Sequence, residues 1–224
     1  MEMNRLEDWF HNHKHKMKCY KWIHYFDIYE KHFSRFVDKE KVRVLEIGVM
    51  GGGSLEMWDY YFDEAEIVGL DIDPACLDLQ KNFYDNVKIE LGDQANPHFW
   101  EEFKKNNKPF DIIIDDGGHR MNQQQLTFDM MYDHVTEDGV FLVEDTHTSY
   151  FTNFGGQMKG ERTFIEKSKD LIDSLHINHF KKDTLEVGSK ERLEFQKKTA
   201  SISFYDSVVV FEKRPQTFPD SQRK

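Results

Sequence analysis

The chain has 224 residues, and 30 Lys and Arg stand against 41 Asp and Glu, a formal charge of −11. That length suits one α/β domain with a substantial core, and the negative balance disfavours a nucleic-acid backbone or an anionic membrane as the main partner. Two cysteines, Cys19 and Cys76, are too few for a disulfide framework, no apolar run is long enough to insert in a membrane, and Met1–Glu7 lacks the regions of a signal peptide; a reduced, cytoplasmic setting is the expectation.

In chain order, residues 5–37 have a helical pattern, with Trp22, Ile23, Phe26, Ile28, Tyr29, Phe33 and Phe36 as a wide apolar stripe. Val42–Gly48 reads as a strand running into a glycine turn, and Ser54 can cap a following helix that holds Leu55, Trp58 and Tyr61. Glu66–Asp71 is a second strand, Pro74 opens a short helix, and Asn86–Leu91 is a third strand. A helix near 97–106 leads to a strand at 111–114, and a helix over 122–134 leads to a strand at 140–143. This alternation predicts a Rossmann-like, doubly wound, mostly parallel sheet with right-handed crossovers. Beyond residue 145 the pattern changes. Ser149–Arg162 is loop-like, carries Tyr150, Phe151 and Phe154 with hinge glycines, and is the candidate lid. Thr163–Leu175 is an amphipathic helix, residues 181–198 are highly charged and expected to be exposed, and 201–211 reads as two strands with a turn near Tyr205-Asp206. Together these make a seven-stranded sheet with an antiparallel C-terminal strand. The expected organisation is a helical segment over 1–40, one domain over 41–213 and a tail over 214–224.

Two apolar runs close on acids. Ile112–Ile114 is followed by Asp115-Asp116-Gly117-Gly118-His119, and Val140–Val143 by Glu144-Asp145. Open α/β sheets bind ligands at the carboxyl ends of such strands. If the two strands are neighbours, four carboxylates and a histidine share a small volume, which calls for a cation or a shared proton and suits a hard divalent metal.

The first turn, Glu46-Ile47-Gly48-Val49-Met50-Gly51-Gly52-Gly53-Ser54, fails the dinucleotide fingerprint because Met50 stands where G-x-G-x-x-G wants its second glycine. An acid at Glu46 is unwelcome beside a pyrophosphate but suits a cationic ligand such as the sulfonium of S-adenosylmethionine. Asp71, ending the second strand, is placed for ribose hydroxyls, and Asp93, after the third, for an adenine amino group.

The order E-x-G…L-D-I-D…G-D-Q…D-D-G-G-H…E-D, carried by Glu46, Gly48, Asp71, Asp93, Gln94, Asp115, Asp116, His119, Glu144 and Asp145, resembles class I S-adenosylmethionine-dependent methyltransferases. It is most similar to the metal-dependent sugar O-methyltransferases of macrolide biosynthesis and their cephalosporin-hydroxylase relatives. The likeness spans roughly residues 20–150 and includes His24-Tyr25…Tyr29-Glu30. Many relatives carry a second His soon after D-D-G-x-H, where this chain has Asn122-Gln123-Gln124-Gln125. The resemblance implies an O-methyltransferase of a sugar hydroxyl, with S-adenosylmethionine and Mg²⁺ as cofactors. It implies metal ligands Asp116, Glu144 and Asp145, and His119 as the general base. Glu46, Gly48, Ser54, Asp71, Asp93, Gln94, Asp115 and Tyr25 become the cofactor-side candidates, with Asp115 facing the methionine end or capping the next helix. His147, Tyr150 and Tyr25 are weaker candidates for substrate or cofactor contact, and the His11, His13, His15 tract reads as a solvated helix face.

The expected partner is a sugar-containing acceptor, part of a glycan or a glycosylated natural product, and not a nucleic acid. The aromatic N-terminal helix could pack on a second copy, and the chain could be one module of a larger glycan-assembly protein. Two other readings remain at this level: an accessory or other Mg-site protein of the cephalosporin-hydroxylase family, and an NAD-dependent oxidoreductase, which the interruption at Met50 opposes.

Overall fold

The near-continuous apolar runs of the central strands follow from burial on both faces. In the computed structural model, which describes residues 4–14, 16–180, 189–217 and 220–221, Ile112, Ile113 and Ile114 are all fully buried. Ile112 and Ile114 pack into one core and Ile113 into the other, as strand alternation requires. The strands are β1 (Val42–Ile47), β2 (Ala65–Asp71), β3 (Val87–Leu91), β4 (Phe110–Asp115), β5 (Val135–Val143), β6 (Thr199–Tyr205) and β7 (Val208–Lys213). Their spatial order is β3-β2-β1-β4-β5-β7-β6. The first five are parallel, and β7 runs antiparallel to both of its neighbours.

Helices α1 (Arg5–Asn12), α2 (Tyr25–Phe33) and α3 (Gly53–Tyr61) cover one face with Trp9, Phe26, Tyr29 and Trp58. Helices α4 (Pro97–Asn106), α5 (Met121–Met131), α6 (Phe164–Leu175) and α7 (Ser189–Lys198) cover the other with Trp100, Phe128, Phe164 and Phe195. The sheet reverses direction of growth between β1 and β4, so a crevice opens at the carboxyl ends of those two strands.

Four local expectations are corrected. The helical pattern over 5–37 is two helices, because α1 stops at Asn12 and α2 starts at Tyr25. The intervening His-Lys tract has no apolar stripe, and a strap from Lys16 to His24 crosses the first glycine turn instead. The segment after Pro74 is a run of 3₁₀ turns, Pro74–Asn82, with Asp73 capping it through Ala75 N–H. Ser54 lies inside α3, whose N-cap is Gly52 at φ 78°. Of the charged stretch 181–198, residues 181–188 lie outside the described residues, and the remainder forms α7, anchored by Phe195 packing its ring 5.5 Å from Tyr132.

Helix α2 is tied to the sheet by charge as well as by rings. Glu212 on β7 accepts from His32 Nδ1 at 2.7 Å and from Arg35 Nη1 at 3.2 Å. The His32 bond first, and the Arg35 charge after it, hold the Glu212 carboxyl down at about 2. A carboxyl whose folded pKa is depressed contributes stability above its unfolded value, and that contribution fades as pH falls toward 2. Glu212→Gln is therefore expected to lower stability at pH 7 by about 1–2 kcal/mol, discounted for partial exposure. It should also flatten the acid limb between pH 4.5 and 2, read as urea midpoints across that range.

Candidate functional site

A cavity of about 460 Å³ opens at the carboxyl ends of β1, β2, β4 and β5, within the usual range of small-molecule sites. Its wall carries Gly48 and Asp71 on one side, Asp93 and Gln94 behind, and Asp116, His119 and Asp145 on the other. Gly48 sits at φ +97°, and a Cβ there would lie 2.1 Å from the Asp116 carbonyl oxygen. Only glycine permits both that dihedral and that approach, so β1 and the acidic turn after β4 meet across it.

The nucleoside half is assembled by short backbone bonds. Asp71 Oδ2 accepts from Val49 N–H at 2.8 Å and Met50 N–H at 3.0 Å, and its Oδ1 from Asp73 N–H at 2.9 Å. Burial would raise its pKa, but these amides outweigh it and keep the carboxyl below its ordinary value. Asp71 thus lines the cavity as an anion while fixing the glycine turn. Asp93 Oδ1 accepts from Ala95 N–H at 2.8 Å. Gln94 donates to Asp115 Oδ1 at 3.0 Å and to Thr127 Oγ1 at 3.1 Å, and accepts from Gly118 N–H at 2.7 Å, so one amide braces the D-D-G-G-H turn.

Three expected cavity residues stand behind the wall. Asp115 is fully buried, bound to Gln94 and to Gly117 N–H at 3.3 Å, and is pushed up to about 6 by burial; α5 takes Arg120 as its N-cap, so Asp115 neither faces the cavity nor caps that helix. Glu46 is also fully buried and pushed up to about 6 by burial. Its Oε1 receives the Lys21 ammonium at 3.4 Å, and its Oε2 is buried without a hydrogen-bond partner. Neither Glu46 nor Ser54 lines the cavity.

The acidic clusters do converge, and they divide in two. In the outer group, ligand-type atoms of Asp116, His119 and Asp145 all lie within 4.8 Å of one another. His119 Nε2 stands 3.8 Å from Asp116 Oδ1 and 3.5 Å from Asp145 Oδ2, while its Nδ1 is buried without a partner. Tyr25 donates to Asp145 Oδ1 at 2.7 Å. His119 and Asp145 adopt left-handed backbone at φ 53° and 50°. Such dihedrals are costly for residues with a Cβ and concentrate at functional sites. Thr148 Oγ1 donates to the carbonyls of both residues, at 2.9 and 2.8 Å, and holds them together.

In the inner group, Glu144 turns away from Asp145. Lys21 Nζ donates to both of its oxygens at 3.0 Å, and Tyr29 donates to Oε1 at 2.6 Å. Lys21 also reaches Asp116 Oδ2 at 2.6 Å. Burial pushes the Glu144 carboxyl up to about 8, with the Asp116 charge adding to it. Burial would depress the Lys21 ammonium, yet Asp116 and Glu144 hold its pKa well above the ordinary value. The sequence-implied ligand set is thus only partly brought together: Asp116 and Asp145 share the outer group, and Glu144 belongs to the inner one. Lys21 was not singled out from sequence, and its one signal is membership of the segment just upstream of His24-Tyr25. The candidate lid contributes nothing to the cavity wall, whereas Tyr20, Lys21, Trp22 and Tyr25 of the strap and α2 do.

The donor set fits both groups implied by the resemblance. Two carboxylate oxygens within a few ångströms of one another suit a hard divalent ion, with the imidazole beside them, and an ionised acid at a strand end beside a glycine turn suits a nucleoside. No family profile matches the chain. It is 35% identical over 178 residues to demethylmacrocin O-methyltransferase of Streptomyces fradiae, covering 73% of this chain and 44% of that protein. It is likewise 35% identical over 171 residues to L-olivosyl-oleandolide 3-O-methyltransferase of Streptomyces antibioticus, covering 70% and 43%. The MycE methyltransferase of the mycinamycin pathway, solved with Mg and SAH, superposes with a TM-score of 0.77 at 30% identity, over 88% of this chain and 51% of that one. The chain carries a class I methyltransferase domain. It is related to the macrolide sugar O-methyltransferases and spans about half the length of the relatives it matches. The strand order and the antiparallel β7 agree with that fold. Among the described residues, no helix is long and apolar enough to cross a membrane.

The methyltransferase turn makes a direct structural demand at Gly48. Gly48→Ala is expected to cost at least about 2 kcal/mol, because the added methyl meets backbone at Asp116 and the dihedral is unfavourable. Urea unfolding measures it, and a loss under about 0.5 kcal/mol, the scale of an ordinary surface substitution, would show that the turn gives way freely.

Proposed function

We propose that this chain catalyses S-adenosylmethionine- and divalent-metal-dependent O-methylation of a sugar hydroxyl in a glycan or a glycosylated natural product. The observation that carries the reading is the meeting of Asp116, His119 and Asp145 at the mouth of a cavity whose far wall is Asp71 and Asp93. The chain's 35% identity to O-methyltransferases acting on glycosylated macrolides supports the acceptor class. When bound, S-adenosylmethionine supplies an electrophilic methyl group and a divalent ion makes a sugar hydroxyl acidic enough to attack it.

The chain's own residues divide the remaining work. Asp71 orients the ribose, and Asp93 accepts from the adenine amino group. Asp116 and Asp145, whose carboxylates face His119, would hold the ion. Tyr25 fixes the rotamer of Asp145 through its hydroxyl. His119 accepts the acceptor's proton at Nε2, since Nδ1 is enclosed by protein; the nearby carboxylates stabilise the imidazolium that results. Trp22 and Tyr20, half or more exposed at the rim of the cavity, offer flat faces on which a sugar can stack.

Incubation with labelled S-adenosylmethionine and a panel of glycosylated macrolides and free deoxysugars tests the reading. Methyl transfer should stop with EDTA and return with Mg²⁺. His119→Gln should lower kcat by about 10²–10⁴-fold, the scale of a lost general base, while leaving cofactor affinity by calorimetry within about threefold. Full activity in chelator, or transfer to nitrogen acceptors only, would sink the proposal.

A further inference from the structure

The two edges of the sheet are finished differently. At β3 the edge is closed from within the chain. Gln80, in the 3₁₀ run after Pro74, donates Nε2 to the Val87 carbonyl and accepts from Ile89 N–H, both at 2.7 Å. Lys88 and Glu90 pair with each other along the same strand. Charged side chains and a capped ladder keep a further strand from adding there. At the opposite edge, β6 reads Thr199-Ala200-Ser201-Ile202-Ser203-Phe204-Tyr205 and carries neither a charge nor a proline.

The register says which groups β6 leaves open. Tyr205 pairs with Val208 across the two-residue turn Asp206-Ser207, Ser203 with Val210, and Ser201 with Glu212. Residues that flank a two-residue turn form a hydrogen-bonded pair, and such pairs alternate along an antiparallel ladder. Ser201, Ser203 and Tyr205 therefore spend their backbone groups on β7, while the N–H and C=O of Ile202 and Phe204 point away from the sheet. Among the described residues, those outward groups have no hydrogen-bond partner. The Ile202 side chain packs against the core under α6 and α7, and Phe204 on the same face is 39% exposed.

We infer that a second copy of this chain occupies the β6 edge, its own β6 running antiparallel about a two-fold axis at Ser203. A strand laid antiparallel to itself is self-complementary, as a two-fold interface requires. With Ser203 on the axis, Ile202 of each copy stands opposite Phe204 of the other, and every outward backbone group of the two residues finds a partner. The same register makes two apolar Ile–Phe cross-strand pairs, a combination that stabilises antiparallel ladders. It also sets the exposed Asp206 of one copy opposite Ala200 of the other, two residues from Lys198 at the basic end of α7, so opposite charges meet at both ends of the joint. Two chains that each carry −11 repel one another, and a neutral strand flanked by complementary charge is where they approach at least cost. Two seven-stranded sheets then run on as one.

Sedimentation of the full chain, together with a cysteine placed on the axis, tests the inference. The chain should sediment as a dimer at about 10 µM and above. Ser203→Cys should form a chain-to-chain disulfide in air, because facing residues of a non-hydrogen-bonded antiparallel pair lie about 4.5 Å apart at Cα, within disulfide reach. Ser201→Cys, which faces Tyr205 of the other copy, should not cross-link, and neither should the parent, whose Cys19 is half-buried and Cys76 buried. Phe204→Lys should weaken the dimer at least about tenfold with native circular dichroism, since it removes both Ile–Phe pairs. A chain that stays monomeric would overturn the inference, as would an undiminished dimer in Phe204→Lys. So would a dimer in which Ser203→Cys does not cross-link, or in which Ser201→Cys cross-links as readily. Should Phe204→Lys fail to fold, the two cysteine variants decide by themselves.

Discussion

Everything at the carboxyl edge of this sheet depends on one ammonium. Glu46 and Glu144 are at most 1% exposed at the ends of β1 and β5, and isolated carboxylates cannot be taken out of water at such positions without a shift to the neutral form or a partner. Lys21 answers both, with Asp116 as a third contact. Since Lys21 precedes β1, the N-terminal strap must lie across the glycine turn for the edge to close. The same requirement fixes where α2 begins, and α2 returns the aromatic hydroxyls of Tyr25 and Tyr29 to Asp145 and Glu144. The site is accordingly built from an N-terminal element laid over a sheet edge, and removing that element would leave buried acids without a counter-charge.

The strands were legible because their cause is local. Ile112–Ile114 and Val140–Val143 are apolar at every position, which only a strand buried on both faces explains at that length. Their neighbouring placement followed from the alternation of elements, and with it the convergence of Asp116 and Asp145. The orientation of each acid was less legible. Adjacent residues at a strand end point to opposite sides, so Asp115 and Asp116 part company, as do Glu144 and Asp145; which of each pair faces the cavity depends on twist and on partners far away in sequence. Asp115 is claimed by Gln94 and Glu144 by Lys21, separations of 21 and 123 residues. No local pattern marks Lys21, one of several lysines in a polar tract, as the one that is buried. The helical pattern over 5–37 is interrupted for the same reason: its stripe resumes at Tyr25, and the break serves the strap.

Glycines in the first turn show how one sequence feature can answer to two structural demands. Gly48 lets β1 touch the Asp116 backbone, which brings the D-D-G-G-H turn against the first glycine turn. Gly52 and Gly53 open the opposite side of the loop to Met17 and Lys18. The failed dinucleotide pattern at Met50 is then a consequence of geometry. Met50 takes a left-handed dihedral, φ 48°, and its amide is spent on Asp71, so this turn holds an acid where a pyrophosphate loop would hold a phosphate.

Burial grades the acids from inside to outside, and that gradient separates architecture from chemistry. Glu46, Asp115 and Glu144 are enclosed and pushed upward by burial to about 6, 6 and 8. Asp116 and Asp145 retain side-chain exposures of 22% and 24% beside a histidine at 20%. The outer tier is the one that water and a polar ligand entering the cavity can reach. The strained dihedrals of His119 and Asp145 are held from beside this tier by Thr148, whose hydroxyl reaches both of their carbonyls. Asp116 is shared between the tiers, Oδ2 on Lys21 and Oδ1 toward His119, and so joins the architecture of the sheet edge to the mouth of the cavity.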